Sequence, residues 1–164
     1  MAAIAAELAK RAMEAYRSEN GLRDLFGRRD GTVSYTELNG KQIFGSNSTS
    51  PTYTARDRAA ADNMRDELIR DYPELFNRDN IGQMPNNALY HAETTALLRA
   101  ARENDGTLAG QTLEVRVDNP MCNNCDTVLP YVGLRLGNPT VTFVDSNNMT
   151  NTMHDGRWLD RARP

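Results

Sequence analysis

The sequence lacks a long hydrophobic run. No stretch reaches the roughly 18 consecutive apolar residues that a transmembrane helix needs. The longest apolar stretch, residues 1–9, is interrupted by Glu7 and followed by Lys10 and Arg11. A signal peptide carries its positive charge before the apolar stretch, not after it. We therefore expect neither a membrane-spanning helix nor a signal peptide in this chain.

Cysteine, histidine and lysine are scarce. Two cysteines, Cys122 and Cys125, are too few for a disulfide scaffold in 164 residues. The formal net charge is −3, so the chain lacks the overall basic character of many nucleic-acid-binding proteins. Of the 19 basic residues, however, all but Lys10 and Lys41 are arginine. Arginine pairs bidentately with phosphate, so local arginine patches can bind nucleic acid, although most arginines are expected in surface salt bridges.

Hydrophobic periodicity predicts a mixture of helices and strands within one domain, residues 1–164. Two short apolar runs flank Asn39-Gly40, the strongest local signal for a β-hairpin. Helices are predicted over residues 2–17, 55–70 and 91–104, with a shorter one beginning near Cys122 and disturbed by Pro130. Further strands are predicted over residues 112–117 and 140–144, and a last one over residues 156–159.

This order of elements predicts an α/β fold in which helices pack on a mixed sheet of four or five strands. The link between Val144 and Gly156 contains about eleven residues, fewer than the dozen or more of a crossover between parallel strands. The last two strands should therefore be antiparallel.

Four residues form a pattern typical of a metal site: His91 and Glu93 where a predicted helix begins, and Cys122 and Cys125 where the next begins, just after Pro120. Residues three apart on a helix share a face, and the N-terminus of a helix favours thiolate over thiol. Two thiolates and one imidazole suit Zn²⁺ and leave its fourth position open, as in catalytic zinc sites.

Glu93 is placed to exchange a proton with water at such a site. Positions two apart on a regular helix point about 200° apart, so His91 and Glu93 cannot share a helix face. The arrangement works only if the metal lies beyond the end of the helix.

This pattern of His-x-Glu followed by Pro and Cys-x-x-Cys resembles the signature of zinc-dependent nucleobase deaminases. The resemblance to the cytidine deaminase superfamily covers residues 32–160, the expected deaminase core, and leaves residues 1–31 as an N-terminal helical extension. It implies that His91, Cys122 and Cys125 bind Zn²⁺. It also implies that zinc-bound water attacks C4 of cytosine while Glu93 shuttles the proton.

One feature departs from the family pattern: Met121 stands between the proline and the first cysteine, in a segment that lines the base pocket of relatives. The resemblance further implies that Asn47 binds the sugar and that the backbone N–H of Ala92 faces the pyrimidine carbonyl, although Asn47 could simply form a turn. Free-nucleoside deaminases usually carry a ribose-binding Glu two residues after that Asn. Thr49 occupies the position here, which favours a sugar within a polymer. Phe44, Tyr53 and Tyr90 are expected near the site, either stacking on a base or packing in the core.

Within the superfamily, the antiparallel end of the sheet resembles the cytosine-acting branch. The divergent motif spacing and the long insertion between the hairpin and the metal-binding helix resemble interbacterial toxin deaminases. That resemblance implies a chain secreted as part of a larger toxin, acting in the cytoplasm of a target cell and blocked by a cognate immunity protein. It implies a nucleic-acid substrate, with single-stranded DNA favoured because no base pairs need to be opened.

Three alternatives remain open from the residues. A structural zinc site could use His91, both cysteines and His154, although it would leave Glu93 idle. The two cysteines could instead form a thioredoxin-like redox pair at a helix start, or their spacing could be coincidental. At the level of function, the alternatives are a deaminase of free cytidine or nucleotides and a zinc-stabilised binding module without catalysis.

Overall fold

The computed structural model describes residues 2–22, 31–80, 86–121 and 125–161. The helices are α1 (Ala2–Glu19), α2 (Ala55–Asp71), α3 (Ala92–Arg102) and α4 (Cys125–Arg135), with 3-10 turns at Arg78–Asn80 and Asn86–Tyr90. The strands are β1 (Val33–Leu38), β2 (Lys41–Ser46), β3 (Thr112–Val117), β4 (Thr140–Val144), β5 (Thr150–His154) and β6 (Arg157–Arg161).

The strands form one mixed sheet in the order β2-β1-β3-β4-β5-β6. Strands β3 and β4 are parallel and are joined by α4, whereas all the other neighbouring pairs are antiparallel. The α/β class is confirmed. The expected four or five strands are wrong, because the described part of the chain contains six.

The additional strand is β5, which lies inside the polar segment interpreted as a link. Its sequence is Thr-Asn-Thr-Met-His, in which Met153 is the one strongly apolar residue, so periodicity gave no signal. The last two strands of the structure, β5 and β6, are antiparallel, but the expectation concerned the two predicted strands, β4 and β6. It does not hold for that pair, because β5 lies between them and is antiparallel to both, so β4 and β6 run in the same direction.

The predicted hairpin and helices are present. Asn39 and Gly40 both have positive φ, 53° and 77°, as the tight turn between β1 and β2 requires. Pro130 lies inside α4 without ending it. Because it is only the sixth residue of the helix, it removes one intrahelical hydrogen bond near the N-terminus.

Helices cover the two faces of the sheet unequally. The larger core packs α2, α3 and α4 against one face, with Leu68, Leu97, Val128 and Phe143 fully buried. On the other face, α1 packs against β1 in a smaller apolar cluster that includes Met13. Within the described ranges, no helix is both long and apolar enough to cross a membrane.

Candidate active site

The N-termini of α3 and α4 lie at the same edge of the sheet. Strands β3 and β4 are parallel, so their carboxyl ends meet there, and α4 begins shortly after β3 ends. Ser34 pairs with Val117 at the end of β3, and its hydroxyl donates to the carbonyl of Ala92 at the start of α3 (2.7 Å). The fold therefore brings together the two sequence segments that carry the predicted metal ligands.

Close packing fixes the start of α3 against β2. A side chain at Gly45 would overlap the carbonyl oxygen of Ala92 and come within 2.6 Å of the amide nitrogen of Ala96. The Thr95 hydroxyl, one turn into α3, donates to the carbonyl of Ser46 (2.8 Å). Helix and strand are thus held in backbone-level contact, which only glycine permits at position 45.

The structure resolves the difficulty over His91 and Glu93. His91 is the N-cap of α3, with an extended backbone (φ −91°, ψ 166°), so helical periodicity does not govern its side chain. It lines a surface cleft, and burial lowers the pKa of its imidazole. A neutral imidazole is the form that binds a metal.

Asn47 and His91 line the same cleft. Asn47 follows β2 directly, and its Oδ1 accepts a hydrogen bond from the backbone N–H of Ala92 (3.2 Å). The next residue, Ser48, donates its N–H to the carbonyl of Tyr90 (3.0 Å). The loop after β2 is thereby attached to the residues on either side of His91.

Glu93 is buried, with 5% of its surface exposed. Burial raises the pKa of its carboxyl group to about 7, its own backbone N–H opposes the shift, and the Asp118 carboxylate adds to it. A carboxyl group with this pKa can both accept and return a proton near neutral pH.

Asp118, at the end of β3, is a site component that the sequence analysis missed. Its carboxylate accepts two hydrogen bonds from Arg17 of α1, at 2.8 and 3.1 Å, and one from the amide of Val33 (2.9 Å). Arg17 is itself buried and also donates to the carbonyl of Gly31 (2.8 Å). The N-terminal helix thus neutralises a carboxylate close to Glu93.

The loop after β3 is held by the end of β4. Asp145 is buried and accepts hydrogen bonds from the amides of Asn147 (2.9 Å), Met149 (3.0 Å) and Met121 (3.4 Å). Met121, the residue that interrupts the family pattern, packs partly buried against the main core. This anchoring fixes the chain immediately before Cys122.

The cleft in front of His91 has a volume of about 400 Å³. Polar and charged side chains line it: Asn47, Ser48, Thr49, Arg58, Asp62, Arg65, Asn87, Tyr90 and His91. Of the three aromatic residues expected near the site, Tyr90 lines the cleft and Tyr53 lies at its border, where both rings contact Arg58. Phe44 instead stacks on Tyr16 of α1 at 4.4 Å and belongs to the core of the opposite face.

His154 lies at the other edge of the sheet. It ends β5 beside Thr140, the first residue of β4, with 3.4 Å between the Thr140 hydroxyl and its Nδ1. The length of β4, about 13 Å for five residues, separates it from the edge that carries His91. A zinc site formed by His91, His154 and both cysteines is therefore incompatible with this fold.

Of the predicted ligand set, His91 is the one residue whose side chain the structure describes. His91 supplies a neutral imidazole in the cleft, and α4 begins at Cys125 at the same sheet edge. Cys122 and the side chain of Cys125 lie outside the described residues. Among the side chains that are described, no group of three His, Cys, Asp or Glu could hold a metal ion.

No model of a known protein family matches this chain, and no curated protein matches it.

Proposed function

We propose that this chain is a zinc-dependent cytosine deaminase that acts on nucleic acid, with single-stranded DNA as the favoured substrate. One observation carries the proposal: a buried carboxyl group with a pKa of about 7, Glu93, lies two residues from an N-capping histidine in a polar cleft. A structural metal site has no use for such a carboxyl group, whereas a hydrolytic site requires one.

His91, Cys122 and Cys125 would hold the zinc ion. When bound there, Zn²⁺ supplies Lewis-acid activation of water at neutral pH. The fit rests on the neutral imidazole of His91 and on the start of α4 at Cys125. Thiolates near a helix N-terminus are further stabilised by the unpaired N–H groups and the helix dipole.

Glu93 moves the proton in this proposal. Its carboxylate accepts a proton from water and returns it to the cytosine ring as ammonia leaves, so that uracil remains. Burial keeps bulk water from competing for that proton. The Ser34 hydroxyl and Gly45 fix the backbone of α3 and thereby hold Glu93 in place.

Asn47 and Ala92 would orient the nucleotide. Without substrate, the Ala92 N–H donates to Asn47 Oδ1, so a pyrimidine carbonyl would share or replace this contact. Thr49 also lines the cleft. It stands where free-nucleoside deaminases usually have a Glu, and it has no carboxylate with which to bind the ribose hydroxyls. The nearest following carboxylate, Asp57, is buried in salt bridges with Arg99 and Arg102. These features favour a nucleotide within a polymer over free cytidine.

The biological setting that we propose follows from the resemblance to interbacterial toxins. The chain would be delivered into a target cell as part of a larger secreted protein, would mutate DNA in the cytoplasm, and would be inhibited in the producer by an immunity protein.

Uracil formation in a cytosine-containing single-stranded oligonucleotide tests the proposal. Uracil-DNA glycosylase followed by alkali reveals each uracil as strand cleavage. The zinc-loaded protein should produce uracil, and Glu93→Gln should reduce the rate by at least about 100-fold, since general acid–base catalysis contributes 10²–10⁴-fold. Zinc content and thermal unfolding of the variant should match those of the unchanged protein.

The alternatives give different results in the same samples. Ammonia release from free cytidine without uracil in the oligonucleotide would identify a nucleoside deaminase. A zinc-bound, folded protein that deaminates none of single-stranded DNA, duplex DNA, RNA and cytidine would be a binding module, and the proposal would be wrong.

A further inference from the structure

We propose that Arg58 binds a phosphodiester next to the reacting nucleotide. The inference rests on the proposed function and deepens it, because it assigns the substrate as a phosphate-linked strand and names the residue that recognises it. The observation that carries it is a guanidinium group held over two tyrosine rings at the border of the His91 cleft.

Arg58 lies in the second turn of α2 and is exposed. Its guanidinium carbon is 5.4 Å from the ring centroid of Tyr53 and 5.8 Å from that of Tyr90. Cation–π contact of this kind stabilises a guanidinium without using its N–H groups. The five N–H donors of the planar group therefore remain for a ligand.

The second arginine of the cleft is engaged differently. Arg65 forms ion pairs with Asp62 (3.6 Å) and Asp66 (3.2 Å) and donates to the hydroxyl of Tyr90 (3.2 Å). Within the described ranges, Arg58 forms no ion pair. Arg58 is thus the cleft cation whose charge no neighbouring carboxylate neutralises directly.

The platform beneath Arg58 is rigid and adjoins the catalytic segment. The hydroxyl of Tyr90 donates to Asp62 (2.5 Å), and its carbonyl accepts from Ser48 (3.0 Å), so the ring is fixed at both ends. His91 is the next residue. A guanidinium placed on this ring is pre-organised, and less conformational entropy is lost when it binds a ligand.

These properties match a phosphodiester. A planar guanidinium forms two parallel hydrogen bonds with phosphate oxygens, and a nucleotide bound beside His91 would extend its backbone through the cleft that His91 and Arg58 both line. Phosphate contacts position a strand without reading its sequence. We therefore expect Arg58 to contribute to affinity for every single-stranded sequence.

Equilibrium binding of a fluorescent single-stranded DNA oligonucleotide with one cytosine tests this assignment over a range of NaCl concentrations. The measurement uses the full chain in the Glu93→Gln background, so that no substrate is consumed. Arg58→Gln should weaken binding about tenfold at low salt and reduce the slope of log K against log salt by about 0.7. Arg56→Gln is the matched control, because Arg56 is exposed on the same helix but lies near Glu103 rather than in the cleft.

A neutral methylphosphonate at the linkage next to the cytosine identifies the contact. It should weaken binding to the Arg58-containing protein and cause no further loss in Arg58→Gln, because both changes remove the same interaction. Equal slopes for Arg58→Gln and Arg56→Gln would overturn the inference. If the losses of affinity caused by Arg58→Gln and by the methylphosphonate add up, the inference is also overturned, and the result would indicate that Arg58 stacks on a base. Arg58-dependent binding of free deoxycytidine monophosphate with no effect of the methylphosphonate would show that a terminal phosphate is the ligand instead.

Failure of the proposed function gives a different result. Uracil formation by the unchanged protein is measured on the same oligonucleotide. Arg58-dependent binding without uracil would overturn the deaminase assignment and leave the phosphate contact standing. Uracil formation with an unchanged salt slope in Arg58→Gln would overturn the phosphate contact alone.

Discussion

Gly45→Ala tests whether the contact between α3 and β2 positions the site. A methyl group at this position would lie 2.6 Å from the amide nitrogen of Ala96 and closer still to the carbonyl oxygen of Ala92. Both are backbone atoms, so no rotamer change relieves the overlap. The ordinary contact distance begins at 3.4 Å, so α3 must move away from β2 by at least about 0.8 Å.

The movement has two measurable consequences. Overpacking of this kind lowers the free energy of unfolding by about 1–3 kcal/mol, which urea denaturation detects as a lower midpoint with unchanged slope. His91 and Glu93 move with α3, and a displacement of about 1 Å at a reacting group can cost about 100-fold in rate. We therefore expect uracil formation to fall far more than the folded fraction at assay temperature.

Gly133→Ala is the matched control for a glycine on the α3 side of the sheet. Its added methyl group would meet the end of the Met153 side chain at 3.2 Å, which can rotate away. Gly133 lies inside α4, where alanine is favoured over glycine by about 1 kcal/mol. This variant should be as stable as the unchanged protein or more so. Equal stability and activity of Gly45→Ala would refute the role assigned to the α3–β2 contact.

Two charge clusters give further predictions. Arg17→Met should lower the free energy of unfolding by about 1–3 kcal/mol in urea denaturation, because it leaves the partly buried Asp118 carboxylate without its cation; Arg17→Met combined with Asp118→Asn should recover part of the loss, since the Asn side-chain oxygen can still accept from the Val33 amide, and an unchanged midpoint for the single variant would contradict the ion pair. Burial alone would raise the pKa of Asp57, but hydrogen bonds from Arg99, the Thr54 amide and Arg102 outweigh it and hold that pKa below its usual range. The ionised carboxylate therefore stabilises the fold above about pH 4, and this contribution is lost as the pH falls further. Asp57→Asn should have a lower free energy of unfolding than the unchanged protein at pH 7, and that free energy should change less between about pH 4 and pH 2. Parallel plots of the free energy of unfolding against pH for the two proteins would contradict this account.

Local chemistry explains which elements the sequence could predict. The hairpin depends on a turn that Asn39 and Gly40 specify by themselves. The start of α2 depends on a capping box in which Thr54 and Asp57 satisfy each other's backbone amides (3.1 and 2.9 Å). Both signals lie within four residues, so no knowledge of the rest of the fold is needed to recognise them.

β5 could not be predicted because pairing with its neighbours defines it. Both of its edges are hydrogen-bonded, to β4 and to β6. Its polar Thr152 forms a hydroxyl–hydroxyl hydrogen bond with Thr142 on β4 (2.9 Å), a cross-strand interaction that a single-segment pattern does not reveal. A strand stabilised in this way has the composition of a loop.

The residues of the candidate site also differ in whether the local sequence could suggest them. His91 and Glu93 could be proposed because the His-x-Glu pattern lies where a predicted helix begins, and Asn47 could be proposed from the family resemblance. Asp118 and Arg17 are 101 residues apart in sequence, and nothing near Arg17 distinguishes it from the other arginines. Their pairing becomes visible only when α1 packs on the sheet.

That pairing makes the N-terminal helix part of the candidate site. Burial raises the pKa of the Glu93 carboxyl group and the Asp118 carboxylate adds to the shift, while Arg17 donates hydrogen bonds to both oxygens of Asp118. Without Arg17, the partly buried Asp118 carboxylate would lack its cation, and the carboxyl end of β3 would lose its attachment to α1. Because Arg17 also binds the Gly31 carbonyl and Asp118 binds the Val33 amide, α1, β1 and β3 are joined at one point. The residues expected to form an N-terminal extension therefore stabilise the edge of the sheet on which the proposed chemistry depends.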